Sequence, residues 1–188
     1  FDRISEVCLE GVRVSSTYIR GLLQEGRMEE AVRFLGHPHL LRGTVVDGRK
    51  IGRTLGIPTA NLQPDEDVLL PKNGVYAARA TAQGSHYPAV VNIGTRPTFG
   101  GKTVTVEPWL LDFAGDLYGQ EISLEFFSYL REERQFPSPE ALKEEIARNA
   151  QETKYPENRC WNELSGSDFL RRENTPGRKE KIDELWKM

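Results

Sequence analysis

The hydrophobic and polar positions change period twice along this chain. Residues 6–14 suggest one short strand. Ser15-Ser16-Thr17 then precedes the apolar pattern of Tyr18-Ile19-Arg20-Gly21-Leu22-Leu23. Hydroxyl side chains ahead of a helical pattern make a good N-cap, and Gly26 is a natural stop. A second short helix fits Met28–Leu35, closed by Gly36 and followed by Pro38.

From residue 40 the alternation shortens to two. Strands are predicted over 40–47, 75–82, 87–93, 103–113 and 121–130, the last with Ile122, Leu124 and Phe126 on one face. Between them lie a loop over 48–61, a polar stretch over 62–73 ending at Asn73-Gly74, a turn at 83–85 and a glycine and proline loop over 94–101. Pro108 inside the fourth of these strands predicts an edge or a bulge there. The helical period returns at Ser138, an N-cap followed by Pro139, with Leu142, Ile146 and Ala150 one turn apart. A last amphipathic helix is predicted over 178–188. Five or six short strands joined mostly by tight turns favour an antiparallel barrel over a doubly wound sheet. The helix after residue 138 then covers one opening or side of it.

Composition narrows the picture rather than changing it. The 188 residues suffice for one buried core with appendages. A net charge of −3 gives no electrostatic case for nucleic acid or an anionic membrane surface. No apolar run approaches the ~20 residues that a membrane-spanning helix needs. Cys8 and Cys160 lack any metal-ligand spacing and read as free thiols of a reducing compartment, the cytoplasm. Phe1 is not an initiator residue, so an upstream segment is expected.

Three clusters carry candidate chemistry. In Gly52-Arg53-Thr54-Leu55-Gly56-Ile57-Pro58-Thr59-Ala60-Asn61, the glycines let backbone N–H groups approach an anion, and Pro58 sets the direction of exit. Thr59 and Asn61, if extended, share a face and offer hard oxygen donors for a cation and its phosphates. Glu107 is a carboxylate in an otherwise apolar and hydroxyl-bearing strand, either on the solvent face or a buried, tuned base; the residue pattern favours the solvent face. Arg131-Glu132-Glu133-Arg134-Gln135-Phe136 is a charged run leaving the last strand. His37 and His39 lack a third ligand nearby, and Asp65-Glu66-Asp67 reads as a solvated loop. Ser15 to Arg20 is an ordinary capped helix that could also hold a phosphate at its N-terminus.

Together these stretches resemble a known family. Gly43 to Asn61, Leu70-Pro71 with Asn73-Gly74-Val75-Tyr76, Asn92-Ile93-Gly94-Thr95-Arg96-Pro97-Thr98-Phe99, Val106-Glu107 with Leu110-Leu111-Asp112-Phe113, Asp116-Leu117-Tyr118-Gly119 and Arg131 to Phe136 follow the order found in riboflavin kinases. Val14 to Arg20, with Ala31 and Leu35-Gly36, resembles the end of the adenylyltransferase domain of bacterial bifunctional FAD synthetases. The resemblance implies a six-stranded antiparallel Greek-key barrel with a C-terminal helix and a short N-terminal helical remnant. It implies three parts: residues 1–36 from the FMN adenylyltransferase domain, 37–153 as the kinase barrel and its helix, and 154–188 as a tail of open role.

The activity implied is transfer of the ATP γ-phosphate to the 5′-hydroxyl of riboflavin, giving FMN, with Mg²⁺ as cofactor. By position, Thr59 would ligate Mg²⁺ with Asn61 beside it, Gly52 to Gly56 would cover the nucleotide phosphates, Glu107 would be the general base, and Arg131 would serve the flavin end. Two departures stand out: Pro108-Trp109 follows Glu107, and Asn149 stands where an aspartate is common. The HxGH-type motif of the adenylyltransferase is absent, so FMN, not FAD, is the product expected of this stretch, with the adenylyltransferase domain missing in cis. The competing expectations are a non-catalytic flavin-binding barrel acting as sensor or regulator, and a barrel for single-stranded nucleic acid, which the acidic balance disfavours.

Overall fold

A computed structural model describes residues 6–48, 57–66, 68–98 and 101–154. The expectations placed on 49–56, on the tail from 155 and on Cys160 lie outside the described residues.

The first segment is a small hairpin rather than one strand, with β1 (Cys8–Leu9) paired to β2 (Val12–Arg13). Helix α1 (Ser16–Glu25) begins where Ser15 Oγ accepts a hydrogen bond from Tyr18 N at 3.2 Å, and stops at Gly26, whose φ of 80° is left-handed. Helix α2 (Met28–Leu35) follows and buries Met28, Ala31, Val32 and Phe34. The pair is tied to the body beyond it by the Lys72 N–H, which donates to Leu23 O at 2.9 Å.

Six strands then close an antiparallel barrel in the order β3-β4-β7-β6-β5-β8. They are β3 (His39–Val46), β4 (Asn61–Pro64), β5 (Gly74–Ala82), β6 (Ser85–Thr98), β7 (Gly101–Leu110) and β8 (Glu121–Arg131). β5, β6 and β7 form a meander and β8 returns beside β5, which is the Greek-key arrangement. Residues pointing into the barrel are apolar at every second position: Ala78 and Ala80 on β5, Val91 and Ile93 on β6, and Ile122, Leu124 and Phe126 on β8, all at most 2% exposed. That alternation is what made these strands legible.

Two expectations need correction, and a third is narrowed. β4 falls in a stretch predicted to be polar loop; its four residues are too few to show a period, and pairing with β3 holds them extended. Residues 94–98 continue β6 rather than starting a loop, with an unbroken register from Ala89↔Leu110 to Thr98↔Gly101. Pro108 marks no bulge; it stands at a local edge, where β7 loses its β4 neighbour. Its carbonyl accepts from Ala60 N at 2.9 Å, so its missing N–H is on the β4 side, just where that short strand ends, and the β6 pairing is untouched.

Helix α3 (Pro139–Lys154), capped by Ser138 Oγ, packs on the outer side of β5 and β6. The predicted inward stripe was Leu142, Ile146 and Ala150. The buried positions are instead Glu145, Asn149 and Thr153, one residue round the helix. The reason is polar: Arg131 at the end of β8 needs partners, and Glu145 and Asn149 supply them. Ala150 still packs on the outer cluster of Val75, Val90 and Leu111.

Candidate active site

The register places three of the sequence candidates, Asn61, Glu107 and Arg131, on one rung of the barrel. Leu62 pairs with Val106 across β4 and β7, and both side chains point into the core. One step back on β4 and one step on along β7, Asn61 faces Glu107 on the outer surface, since the Ala60–Pro108 hydrogen bond continues the same register. On its other side Glu107 is opposite Asn92 of β6, which is opposite Val75 of β5, which is opposite Arg131 of β8. Cross-strand neighbours of this kind stand about 5 Å apart at Cβ.

Asn61, Glu107 and Asn92 therefore form a polar row on three adjacent strands. The Glu107 side chain is 16% exposed and is ion-paired with Arg96, itself 38% exposed. The solvent-face and buried-base alternatives for Glu107 resolve into a mixture, an outward side chain that its neighbours largely cover. It approaches Asn61 from the neighbouring strand, along the outer wall and not across the lumen.

Thr59 lies just before β4 and lines a pocket with Val45, Pro58, Pro108, Leu110 and Tyr118, with room of about 80 Å³. The Asn61 amide lies against Gly48, where a Cβ would fall 1.8 Å from Nδ2; only glycine leaves space for it. Gly52, Arg53, Thr54, Leu55 and Gly56 lie outside the described residues.

Arg131 sits at the far end of the rung and is committed to α3. Its Nε donates to Asn149 Oδ1 at 3.0 Å and lies 3.3 Å from Glu145 Oε1, and the guanidinium carbon is 5.3 Å from the centre of the Phe136 ring. Burial pulls its pKa below the ordinary guanidinium value, with the Glu145 charge opposing the shift. Glu145 also meets Arg134 at 2.9 Å and Arg148, so one buried carboxylate holds together the segment after β8 and the face of α3.

Residue-pattern reasoning passed over Asn92, Arg96 and Glu133 as individuals. Asn92, Gly94 and Arg96 occupy alternate positions of β6 and so share its outer face. Once 94–98 is taken as strand, the period of two aligns them with Glu107.

The oxygen donors fit a hard cation of the magnesium type. A hydroxyl and a carboxamide beside a carboxylate suit an ion that keeps waters and ligand phosphates in its shell. Among the described residues no group of three or more His, Cys, Asp or Glu forms a complete protein cage.

The fold is thus a closed antiparallel Greek-key barrel with a polar row on its outer wall. The chain belongs to the riboflavin kinase family, whose Flavokinase description matches residues 35–155. It is 38% identical over 143 residues to a bifunctional riboflavin kinase/FMN adenylyltransferase of Listeria monocytogenes, covering 76% of this chain and 46% of that protein. The protein of the same description from Escherichia coli K12 is 43% identical over 143 residues, with 76% and 45% covered. The chain thus spans about half the length of the curated relatives it matches.

Among solved structures, riboflavin kinase from Trypanosoma brucei superposes with a TM-score of 0.50 at 28% identity, covering 75% of this chain and 92% of that one. A Streptococcus pneumoniae structure described as a macrolide-efflux protein gives a TM-score of 0.77 at 32% identity, covering 80% and 50%. No helix among the described residues is long and apolar enough to cross a membrane.

Proposed function

We propose that this chain transfers the γ-phosphate of ATP to the 5′-hydroxyl of riboflavin, giving FMN and ADP. The observation that carries the reading is the placement of Glu107 between Asn61 and Asn92 on one rung, beside the pocket at Thr59. Phosphoryl transfer asks little covalent chemistry of a protein; it asks for positioning, charge neutralisation and a proton acceptor. Glu107 accepts the proton of the attacking 5′-hydroxyl, which must leave as the new P–O bond forms. Thr59 and Asn61 hold Mg²⁺ and the nucleotide phosphates, with the nucleotide in the pocket next to Thr59. When bound, the cation would supply neutralisation of phosphate charge. By position in the sequence, Gly52 to Gly56, which lie outside the described residues, would cover the phosphates.

Arg131 serves the flavin end through the segment it anchors, residues 132–136, rather than as a free cation. Residues 1–36 are the end of an adenylyltransferase domain, 37–153 the kinase part and 154–188 a tail; the protein that contains this chain adenylylates FMN to FAD through its other half. A cytoplasmic location fits the substrates. Incubating the chain with riboflavin and Mg-ATP and resolving the flavins by chromatography tests the reading. FMN is the expected product, and its absence at saturating substrates overturns the kinase assignment.

A further inference from the structure

Gly94 lies on the outer face of β6 between Asn92 and Arg96, and its missing side chain is replaced by another residue. The Glu133 carboxylate rests on it: a Cβ built at Gly94 would stand 2.1 Å from Glu133 Oε1 and 2.8 Å from Cδ. Asn92 Nδ2 donates to the same Oε1 at 3.2 Å. Glu133, two residues beyond the end of β8, is thereby drawn in beside the Glu107 rung.

The chemistry of this floor is distinctive. A carboxylate is acceptor-only, and the Asn92 amide oxygen is a further acceptor, whereas hydroxyl groups donate. Neighbouring strands lie about 4.8 Å apart, roughly the span of four consecutive carbon–carbon bonds in an extended chain. A polyol whose terminal hydroxyl meets Glu107, and whose chain runs toward β6, brings its inner hydroxyls over Asn92 and Glu133.

We propose that Asn92 and Glu133, seated on Gly94, form the subsite that reads the inner hydroxyls of the substrate's ribityl chain. The inference rests on the kinase reading above and names how its acceptor is recognised. Glu107 takes the reacting hydroxyl; Asn92 and Glu133 fix which carbon of the chain reaches it.

Gly94 supplies the test, because Gly94→Ala removes no polar group yet displaces the carboxylate. The obstacle to its Cβ is the far end of a flexible side chain, so the barrel tolerates the change. On the full chain, kcat/KM is measured for riboflavin and for analogues deoxygenated at C2′ or C3′ of the ribityl chain, with Kd followed by quenching of flavin fluorescence. The parent should prefer riboflavin over at least one analogue by about tenfold, the scale of a hydrogen bond to a charged group. Glu133→Ala and Gly94→Ala should each reduce that preference to within about twofold, in Kd as in kcat/KM. Equal preference in parent and both variants overturns the subsite, as does a parent that does not distinguish riboflavin from either analogue. A parent that makes no FMN at all overturns the kinase reading instead, so the two failures are told apart.

Discussion

Asn61 and Glu107 face each other across the join between β4 and β7, one on the shortest strand of the barrel and the other on a strand of ten residues. The carboxamide, which would hold the phosphate end, and the carboxylate, which would take the proton, are thus fixed by one register. Replacing Glu107 with Gln keeps its shape and removes its basicity. The kcat for FMN formation should fall about 10³-fold with riboflavin binding retained, as steady-state kinetics and fluorescence titration would show.

In the proposed site Thr59 would act through a single oxygen, that of its hydroxyl. Thr59→Ala should lower kcat by about 10²–10³-fold, while Thr59→Ser should keep most of it, because only the hydroxyl is needed. Chelation of divalent ions should abolish turnover of the parent and Mg²⁺ should restore it. Turnover that survives chelation would remove the cation from Thr59 and Asn61.

Gly43 contrasts with Gly94. A Cβ at Gly43 would stand 2.1 Å from Gln63 O and 2.9 Å from Pro64 Cα, atoms of the paired backbone of β4. Backbone cannot swing aside as a side chain can. Gly43→Ala should destabilise the fold by about 2–3 kcal/mol, read as a fall in the denaturation midpoint, whereas Gly94→Ala should leave that midpoint near the parent's.

His39 is buried at 6% exposure, with Nε2 3.0 Å from Leu69 O. Burial lowers its pKa beneath the ordinary imidazole value, with the Leu69 contact opposing the shift. The unfolded chain therefore takes up a proton first as the pH falls through about 6.5, and the folded state loses stability from that point downward. Above that pH His39 contributes no slope. Thermal denaturation of the parent between pH 7.5 and 5.5 should show the decline, and His39→Gln should flatten it over this interval.

Glu145 is the shared partner of Arg131, Arg134 and Arg148. Glu145→Ala would leave Arg131 without its carboxylate at the join of β8 and α3. A loss of about 3 kcal/mol is expected, measured by denaturant titration.

The sequence exposes the barrel wherever an element has one wet and one dry side. The alternation of β8 and the caps of α1 and α2 are of this kind, with Ser15, Gly26 and Gly36 in the positions that residue chemistry dictates. It conceals β4, whose four residues owe their conformation to β3. It misleads at α3, where an ion pair with Arg131 overrides the apolar stripe. Thr59, Asn61 and Glu107 are marked by residue type, but what relates them is a pairing between strands whose facing residues are 46 apart in sequence, a separation no local pattern contains. Arg96 and Glu133 escape notice for the same reason: each acts on a neighbour that only the closed sheet brings near.

Because the polar row is a rung of the β ladder, its accuracy is a matter of counting. One residue inserted in β7 between Val106 and Glu107 would reverse the facing of every later position on that strand and send Trp109 toward the core. The same insertion at the 83–84 hairpin tip would leave the rung intact. Length variation is thus permitted at the ends of this barrel and forbidden through its waist. Away from the apolar inward positions, Gly43 and the rung itself, residue type on these strands can vary, whereas strand length cannot.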